Sequence, residues 1–174
     1  MTLPLCTERL LIREFTADDC DGLAAVYGDP KVIWWEPAPY SAEQTAAALR
    51  RILGQYASEG MAEYAIVLRS TGEIIGDSGP VLREVEGVRL PELGWDLRSD
   101  CWGHGYATEA ARALLGHVAE LGITRIYSFI TPGNAPSRAV AERLGMTIER
   151  RALFADVLHD LWALDLVQTL RRPV

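Results

Sequence analysis

The hydrophobic positions of this chain change period several times, and each change marks an element. Leu10-Leu11-Ile12-Arg13-Glu14-Phe15 predicts a first strand. Thr16-Ala17-Asp18-Asp19 then resembles a capping box, and Leu23, Val26 and Tyr27 form the face of a short helix that Asp29-Pro30 ends. Ser41-Ala42-Glu43-Gln44 is a fuller capping box. Leu49, Ile52, Leu53 and Tyr56 follow it at i, i+3, i+4 and i+7, one stripe of a second helix that ends near Gly60. Alternation replaces that stripe at Tyr64, Ile66 and Leu68. Ser70-Thr71-Gly72-Glu73 reads as a turn, and Ile74-Ile75-Gly76 begins a return strand. Glu92 to Leu97 is a fourth strand. Tyr106 to Leu121 is a third helix, with Ala107, Ala111, Leu114, Leu115 and Val118 on one side and Gly122 at the C-cap position. Arg125 to Ile130 is a fifth strand. Pro136 opens a short helix closed by Gly145, and Thr147 to Leu166 holds two more strands around a polar stretch with Asp156 and His159.

The order is strand, two helices, three strands, helix, strand, helix, two strands. It implies a mixed α/β (α+β) domain on one central sheet. No repeat or linker interrupts the 174 residues, so residues 1–174 are read as a single domain. A 49% hydrophobic, 24% charged composition suits a buried core. The formal charge of −7 argues against broad nucleic-acid binding, which needs a basic footprint. It leaves room for a phosphorylated ligand held by local amides. No apolar run reaches the length of a membrane span, and the opening residues lack a leader pattern, so a cytoplasmic protein is expected. Cys6, Cys20 and Cys101, like His104, His117 and His159, are scattered and suggest no metal site.

Chemistry is concentrated in Cys101-Trp102-Gly103-His104-Gly105-Tyr106-Ala107-Thr108-Glu109-Ala110. A strand ends, two glycines follow, and a helix begins at once. Glycine permits positive φ and close backbone approach, and the first amides of a helix have no partners within it. Together they make an anion cradle suited to a pyrophosphate. The dinucleotide pattern GxGxxG fails at Thr108, and a P-loop would need a Lys that this segment lacks. A plain connecting turn is the remaining alternative.

Downstream lies Ile130-Thr131-Pro132-Gly133-Asn134-Ala135-Pro136-Ser137-Arg138, followed by Leu144-Gly145-Met146. With this second segment the sequence resembles the GNAT superfamily of acyl-CoA-dependent N-acetyltransferases. It is most similar to the branch that acetylates ribosomal-protein N-termini. Trp102 to Ala110 resembles the pyrophosphate loop, Asn134-x-x-Ser137 the second CoA segment, and Thr7-Glu8-Arg9-Leu10 with Asp18-Asp19 the opening strand and helix. The sequence departs from the superfamily pattern at Trp102, where Gln or Arg is common. It departs again at Asp96, where an aromatic or aliphatic residue is usual, and at Ala139, where an Arg is common.

The resemblance implies a mostly antiparallel, twisted sheet of about seven strands with about four helices, splayed between the fourth and fifth strands. It implies acetyl-CoA as co-substrate, with no metal. Trp102, Gly103, His104, Gly105, Tyr106, Ala107 and Thr108 would hold the pyrophosphate, and Trp95, Asp96 and Leu97 would pair with the pantetheine. Asn134, Ser137 and Arg138 would complete the CoA site. A backbone amide near Trp95 to Leu97 would polarise the thioester carbonyl. Glu92 matches the place of a glutamate base, with a solvent-exposed strand residue or a water relay as alternatives; Asp96 is a second base or a cation-binding group. Ser137 matches the donor that protonates the departing thiolate, or else only stabilises its helix start.

The acceptor pocket is expected from Trp34, Trp35 and Glu36 between the first two helices, with Asp96, Phe154, Asp156 and His159; the alternative is that Trp34 and Trp35 only seal the edge of the core. An acidic, aromatic site of this kind suits a cationic amine. A small-molecule or peptide amine is therefore the expected partner: a peptide N-terminus, an amino acid, a polyamine or an aminoglycoside. A homodimer through an exposed strand edge is compatible with the pattern. A module that binds acyl-CoA or an amine without turnover is the alternative function.

Overall fold

A computed structural model describes residues 3–33 and 38–166. The chain enters through β1 (Leu5–Cys6) and β2 (Leu10–Arg13), then forms α1 (Cys20–Tyr27) and α2 (Ala42–Glu59). Three strands follow, β3 (Tyr64–Leu68), β4 (Ile74–Val85) and β5 (Val88–Leu97). Next come α3 (Tyr106–Glu120), β6 (Arg125–Ile130) and α4 (Ala135–Leu144), and last the hairpin of β7 (Thr147–Phe154) and β8 (Val157–Asp165). All eight strands join one sheet in the order β1-β2-β3-β4-β5-β6-β8-β7. Among the described residues, only the β5–β6 pair is parallel. The strand beyond the expected seven is β1, whose two residues pair with Ile12 and Leu11; two residues are too few to show a period.

Local signals set the helix boundaries. The Ser41 hydroxyl accepts from the Gln44 amide at 3.2 Å, and Gln44 Oε1 accepts from the Ser41 amide at 2.8 Å, closing the capping box that starts α2. At the first helix the Asp19 carboxylate accepts from the Thr16 amide at 2.7 Å, and a 3-10 turn over Ala17–Asp19 precedes α1. The sheet is covered on both faces. Leu114, Val118 and Ala111 of α3 and Val140 and Leu144 of α4 pack with Tyr64, Ile66 and Leu93. Leu23 and Val26 of α1 and Leu49 and Ile52 of α2 pack with Ala65, Val67 and Ile74. Burial on both faces explains why β3 is a continuous apolar run. Leu114 is fully buried, so truncating it to Ala would cost about 2–5 kcal/mol.

Much of the β4–β5 hairpin escaped the sequence pattern. β4 runs on to Val85, Glu86 and Gly87 turn the chain with φ of 52° and 79°, and β5 begins at Val88 rather than Glu92. Two consecutive positive φ values are those of a type I′ turn, whose twist suits a tight hairpin. Pro80 and Pro91 hide these strands, because proline cannot donate to a ladder. The Arg98 amide donates to the Ile75 carbonyl at 2.9 Å, and this fixes which pairs share hydrogen bonds. Pro80 faces Leu93 and Pro91 faces Leu82, both at positions whose nitrogens point away from the β4–β5 ladder. Pro80 also lies past the last β3 partner, Ser78, so no N–H is missed.

Candidate active site

The parallel contact of β5 with β6 narrows to one registered pair, Glu92 with Tyr127. Past it, the Ser128 hydroxyl donates to the Leu93 carbonyl at 2.7 Å, and the strands then part. By the same alternation that accommodates the prolines, Leu93, Trp95 and Leu97 turn their backbone polar groups away from β4 and toward this opening. The Leu93 carbonyl is taken by Ser128, and the Leu97 carbonyl by the Trp102 indole N–H at 2.8 Å. Trp95, between them, presents its N–H and C=O to the gap. Two cavities meet here, sharing Trp95, Asp96, Asn134 and Ser137.

The cavity on the α3 side measures about 1030 Å³. Its wall is the first turn of α3, whose N-cap, Gly105, has φ of 82° and offers no capping side chain. The amides at the start of α3 are therefore unclaimed by a cap, the state an anion requires. Gly103, with φ of 79°, leaves open space where a Cβ would stand. Arg9, Lys31, Arg112 and Arg143 also line this cavity. An uncapped helix start, backbone room and the cations Lys31, Arg112 and Arg143, with Arg9 beside them paired to Glu109, fit the diphosphate of coenzyme A. The loop is braced from the N-terminal segment. Arg9 pairs with Glu109 at 2.6 Å, donates to the His104 carbonyl at 2.9 Å and lies 4.6 Å over the Tyr106 ring. Partial burial would raise the Glu109 pKa, but the Thr7 hydroxyl and Arg9 hold it below the usual carboxylate range.

The other cavity, about 870 Å³, lies between α1, α2 and the β7–β8 hairpin, over the other face of the sheet. Strand alternation sends Asp77, Gly79, Val81 and Arg83 of β4 and Glu92, Gly94 and Asp96 of β5 into it. Glu63 joins them from the segment before β3 and pairs with Arg51 at 3.1 Å and Arg83 at 3.7 Å. Arg83 also pairs with Glu92 at 2.9 Å. Asp77 is 2% exposed, and its Oδ2 has no hydrogen-bond partner among the described residues. Burial, then the charges of Asp96 and Glu63, hold the Asp77 carboxyl well above its ordinary range. Asp96 opens to the cavity but is hemmed in by protein elsewhere; lost solvation and the charges of Glu92 and Glu63 push it up to about 7.

Most residues expected at the CoA site lie on the α3-side cavity: Trp95, Asp96, Leu97, Trp102, Gly103, Gly105, Tyr106, Ala107, Thr108, Asn134 and Ser137. The structure does not bring His104 or Arg138 to either cavity. The His104 ring stacks outward on Tyr106 and bonds the Trp102 carbonyl, while Arg138 reaches the Pro132 carbonyl at 3.4 Å. Asn134 caps α4, its Oδ1 accepting from the Ser137 amide at 3.1 Å. Glu92, Phe154 and His159 line the second cavity, over the other face of the sheet. Asp156 does not, because it sits exposed in the β7–β8 turn at φ of 61°. Trp34, Trp35 and Glu36 lie outside the described residues. The sequence reading missed Glu63, Asp77, Arg51 and Arg83. Only the β4–β5 register, hidden by the prolines, would have found Asp77 and Arg83.

Comparisons with known proteins agree with this geometry. Residues 9–147 match the acetyltransferase (GNAT) domain family. The chain is 32% identical to the uncharacterized N-acetyltransferase p20 of Bacillus licheniformis over 76% of each chain. An acetyltransferase of Agrobacterium tumefaciens, 30% identical, superposes with a TM-score of 0.78 over 94% of this chain and 95% of that one. A ribosomal-protein-S5-alanine acetyltransferase of Vibrio fischeri shares the fold with a TM-score of 0.78 at 18% identity, covering 94% and 97% of the two chains. The parted strands, the uncapped α3 turn and this family match agree: the chain belongs to the GNAT acetyltransferases, enzymes whose acyl donor is acetyl-CoA.

Proposed function

We propose that this enzyme moves an acetyl group from acetyl-CoA to a primary amine by direct attack within a ternary complex. The observation that carries the reading is the meeting of two cavities of opposite character at Trp95, Asp96, Asn134 and Ser137. The donor's diphosphate lies against the first turn of α3 among Arg9, Lys31, Arg112 and Arg143, and its pantetheine runs along the open side of β5. The Trp95 N–H is then placed to polarise the thioester carbonyl, a contact worth about 3–4 kcal/mol to the transition state.

The amine attacks as a neutral base, so its ammonium form must first lose a proton. Of the two carboxylates considered for this step, Asp96 is favoured. It stands where the cavities meet, and its pKa of about 7 suits a base working near neutrality. Glu92 engages Arg83 and serves better to hold that guanidinium in place. Ser137, at the same junction, is assigned the proton for the departing thiolate.

The acceptors to screen are a peptide N-terminus, an amino acid, a polyamine and an aminoglycoside. Thiol release from acetyl-CoA with each is the test. Release with at least one supports the transferase. Tight CoA binding with no release under any acceptor would instead favour a binding or sensing module. We read the chain as one domain working in the cytoplasm, with its three cysteines free. The outer edge of β7 is where a second copy would pair, and sedimentation tests that contact.

A further inference from the structure

Resting on that reading, we propose that Asp77 and Asp96 act as one carboxyl pair that binds the acceptor as its ammonium ion and then takes its proton. The cavity therefore selects aliphatic amines that bring no carboxylate into it. The two residues are directly opposite across the β4–β5 ladder, and both face the cavity. Opposed residues on one face of an antiparallel pair have Cβ atoms about 5 Å apart, within reach of one shared cation. Asp77 Oδ2 is buried and without a donor among the described residues, yet its residue lines the cavity. A buried polar oxygen left unmet is destabilising, and once Asp77 is ionised an ammonium group would supply it with donors, of which it has three.

The floor beside the pair has room for that group. The next opposed residues on the same face are Gly79 and Gly94. A Cβ on Gly79 would stand 2.3 Å from the Ala62 carbonyl oxygen, so close backbone packing explains that glycine. A Cβ on Gly94 would meet nothing within 4 Å; its space belongs to the cavity.

The charges around the pair favour a cation. Facing it are Tyr27 from α1, Arg51 from α2, Glu63 ahead of β3, Arg83 from β4 and Glu92 from β5. His159 lines the cavity from β8. Arg51 and Arg83 are engaged by Glu63 and Glu92, so the pair keeps its own negative charge. Buried together, two carboxyls resist double ionisation, and the deeper Asp77 retains a proton while Asp96 titrates. A bound ammonium displaces that proton to solvent. The ammonium then gives one proton to the pair, and its nitrogen lone pair forms the C–N bond as the C–S bond breaks. The second nitrogen proton replaces the one that the Ser137 hydroxyl gives to the thiolate, and the third stays on the amide.

Calorimetry on the CoA complex tests this with matched probes: cadaverine against 5-aminopentanoate, and alaninamide against alanine. The first pair represents free amines and the second peptide N-termini. At least one carboxylate-free member should bind tenfold or more tighter than its carboxylate counterpart. It should release protons at pH 7, read from buffers of different ionisation enthalpy. Asp77→Asn should weaken that binding tenfold or more and lower the proton release to the part that Asp96 supplies, with CoA affinity unchanged. Should that variant fail to fold, Gly94→Val should block the amine and spare CoA. Equal binding within both pairs, binding by neither carboxylate-free probe, or unchanged binding in the variant would overturn the proposal. Selective binding with no acetylated product from acetyl-CoA would leave the ammonium site standing and sink the transferase reading.

Discussion

The two cavities share β5 but are built from different material. On the α3 side, the surface proposed for the diphosphate is backbone: the N–H groups of one helical turn after Gly103 and Gly105, with Arg9, Lys31, Arg112 and Arg143 around them. On the other side, the surface proposed for the acceptor is made of side chains: Glu63, Asp77, Glu92 and Asp96, gathered from separate segments. A backbone cradle is contiguous in sequence and tolerates varied side chains. A carboxyl cluster depends on register between strands, and each member is a single residue that can be changed alone. On the proposed reading, donor binding and acceptor selection are separable, and mutation should pull them apart.

The largest effect is expected at Asp96. Asp96→Asn should lower kcat/KM for the amine by about 10²–10⁴-fold, the range of general-base catalysis, with CoA affinity retained. As the proposed base, Asp96 would act only when ionised, so wild-type kcat/KM should rise as pH passes through about 7, and the variant should lose that limb. An unchanged inflection in the variant would place the base elsewhere. Gly105→Val is the converse. A β-branched residue at φ of 82° is strained, and the turn it distorts is the anion cradle. CoA affinity should fall about 100-fold, or about 2.7 kcal/mol, by calorimetry, while amine binding persists. Loss of both ligands together would show that the cavities are coupled.

Ser137→Ala should give a smaller change, about tenfold in kcat with KM for acetyl-CoA nearly constant, because its assigned role arises only as the thiolate leaves. The smallest effect is on stability. Asp77 holds its proton to higher pH when folded than when unfolded. Its contribution is therefore fully present below about pH 4, the unfolded value, and is lost as pH rises toward the folded one. Asp77→Asn removes that loss. Its Tm should exceed the wild type's at pH 8, by about 2–4 °C per kcal/mol, and differ less at pH 4. An equal gain at both would mean that ionisation of Asp77 is not the cause.

This contrast also explains what could be read from the sequence. The α2 capping box, the α3 stripe and the glycine loop rest on contacts within a few residues, and the structure places them as the pattern implied. The fold class followed from the order of such elements. Asp77 was invisible because Pro80 broke the strand that carries it and its partner is 19 positions away. Glu63 and Arg51 meet only through the packing of α2 beside β3. His104 sits inside the loop motif yet turns outward, because a motif fixes the backbone path and leaves each side chain to its neighbours.

The brace between Arg9 and Glu109 links residues 100 positions apart. During synthesis, Arg9 leaves the ribosome long before its partner exists. The α3 loop therefore reaches its braced form only once the N-terminal segment has met α3, and non-local contacts of this kind are slow to form. Coenzyme A capture during refolding should accordingly report that long-range docking rather than formation of the loop alone.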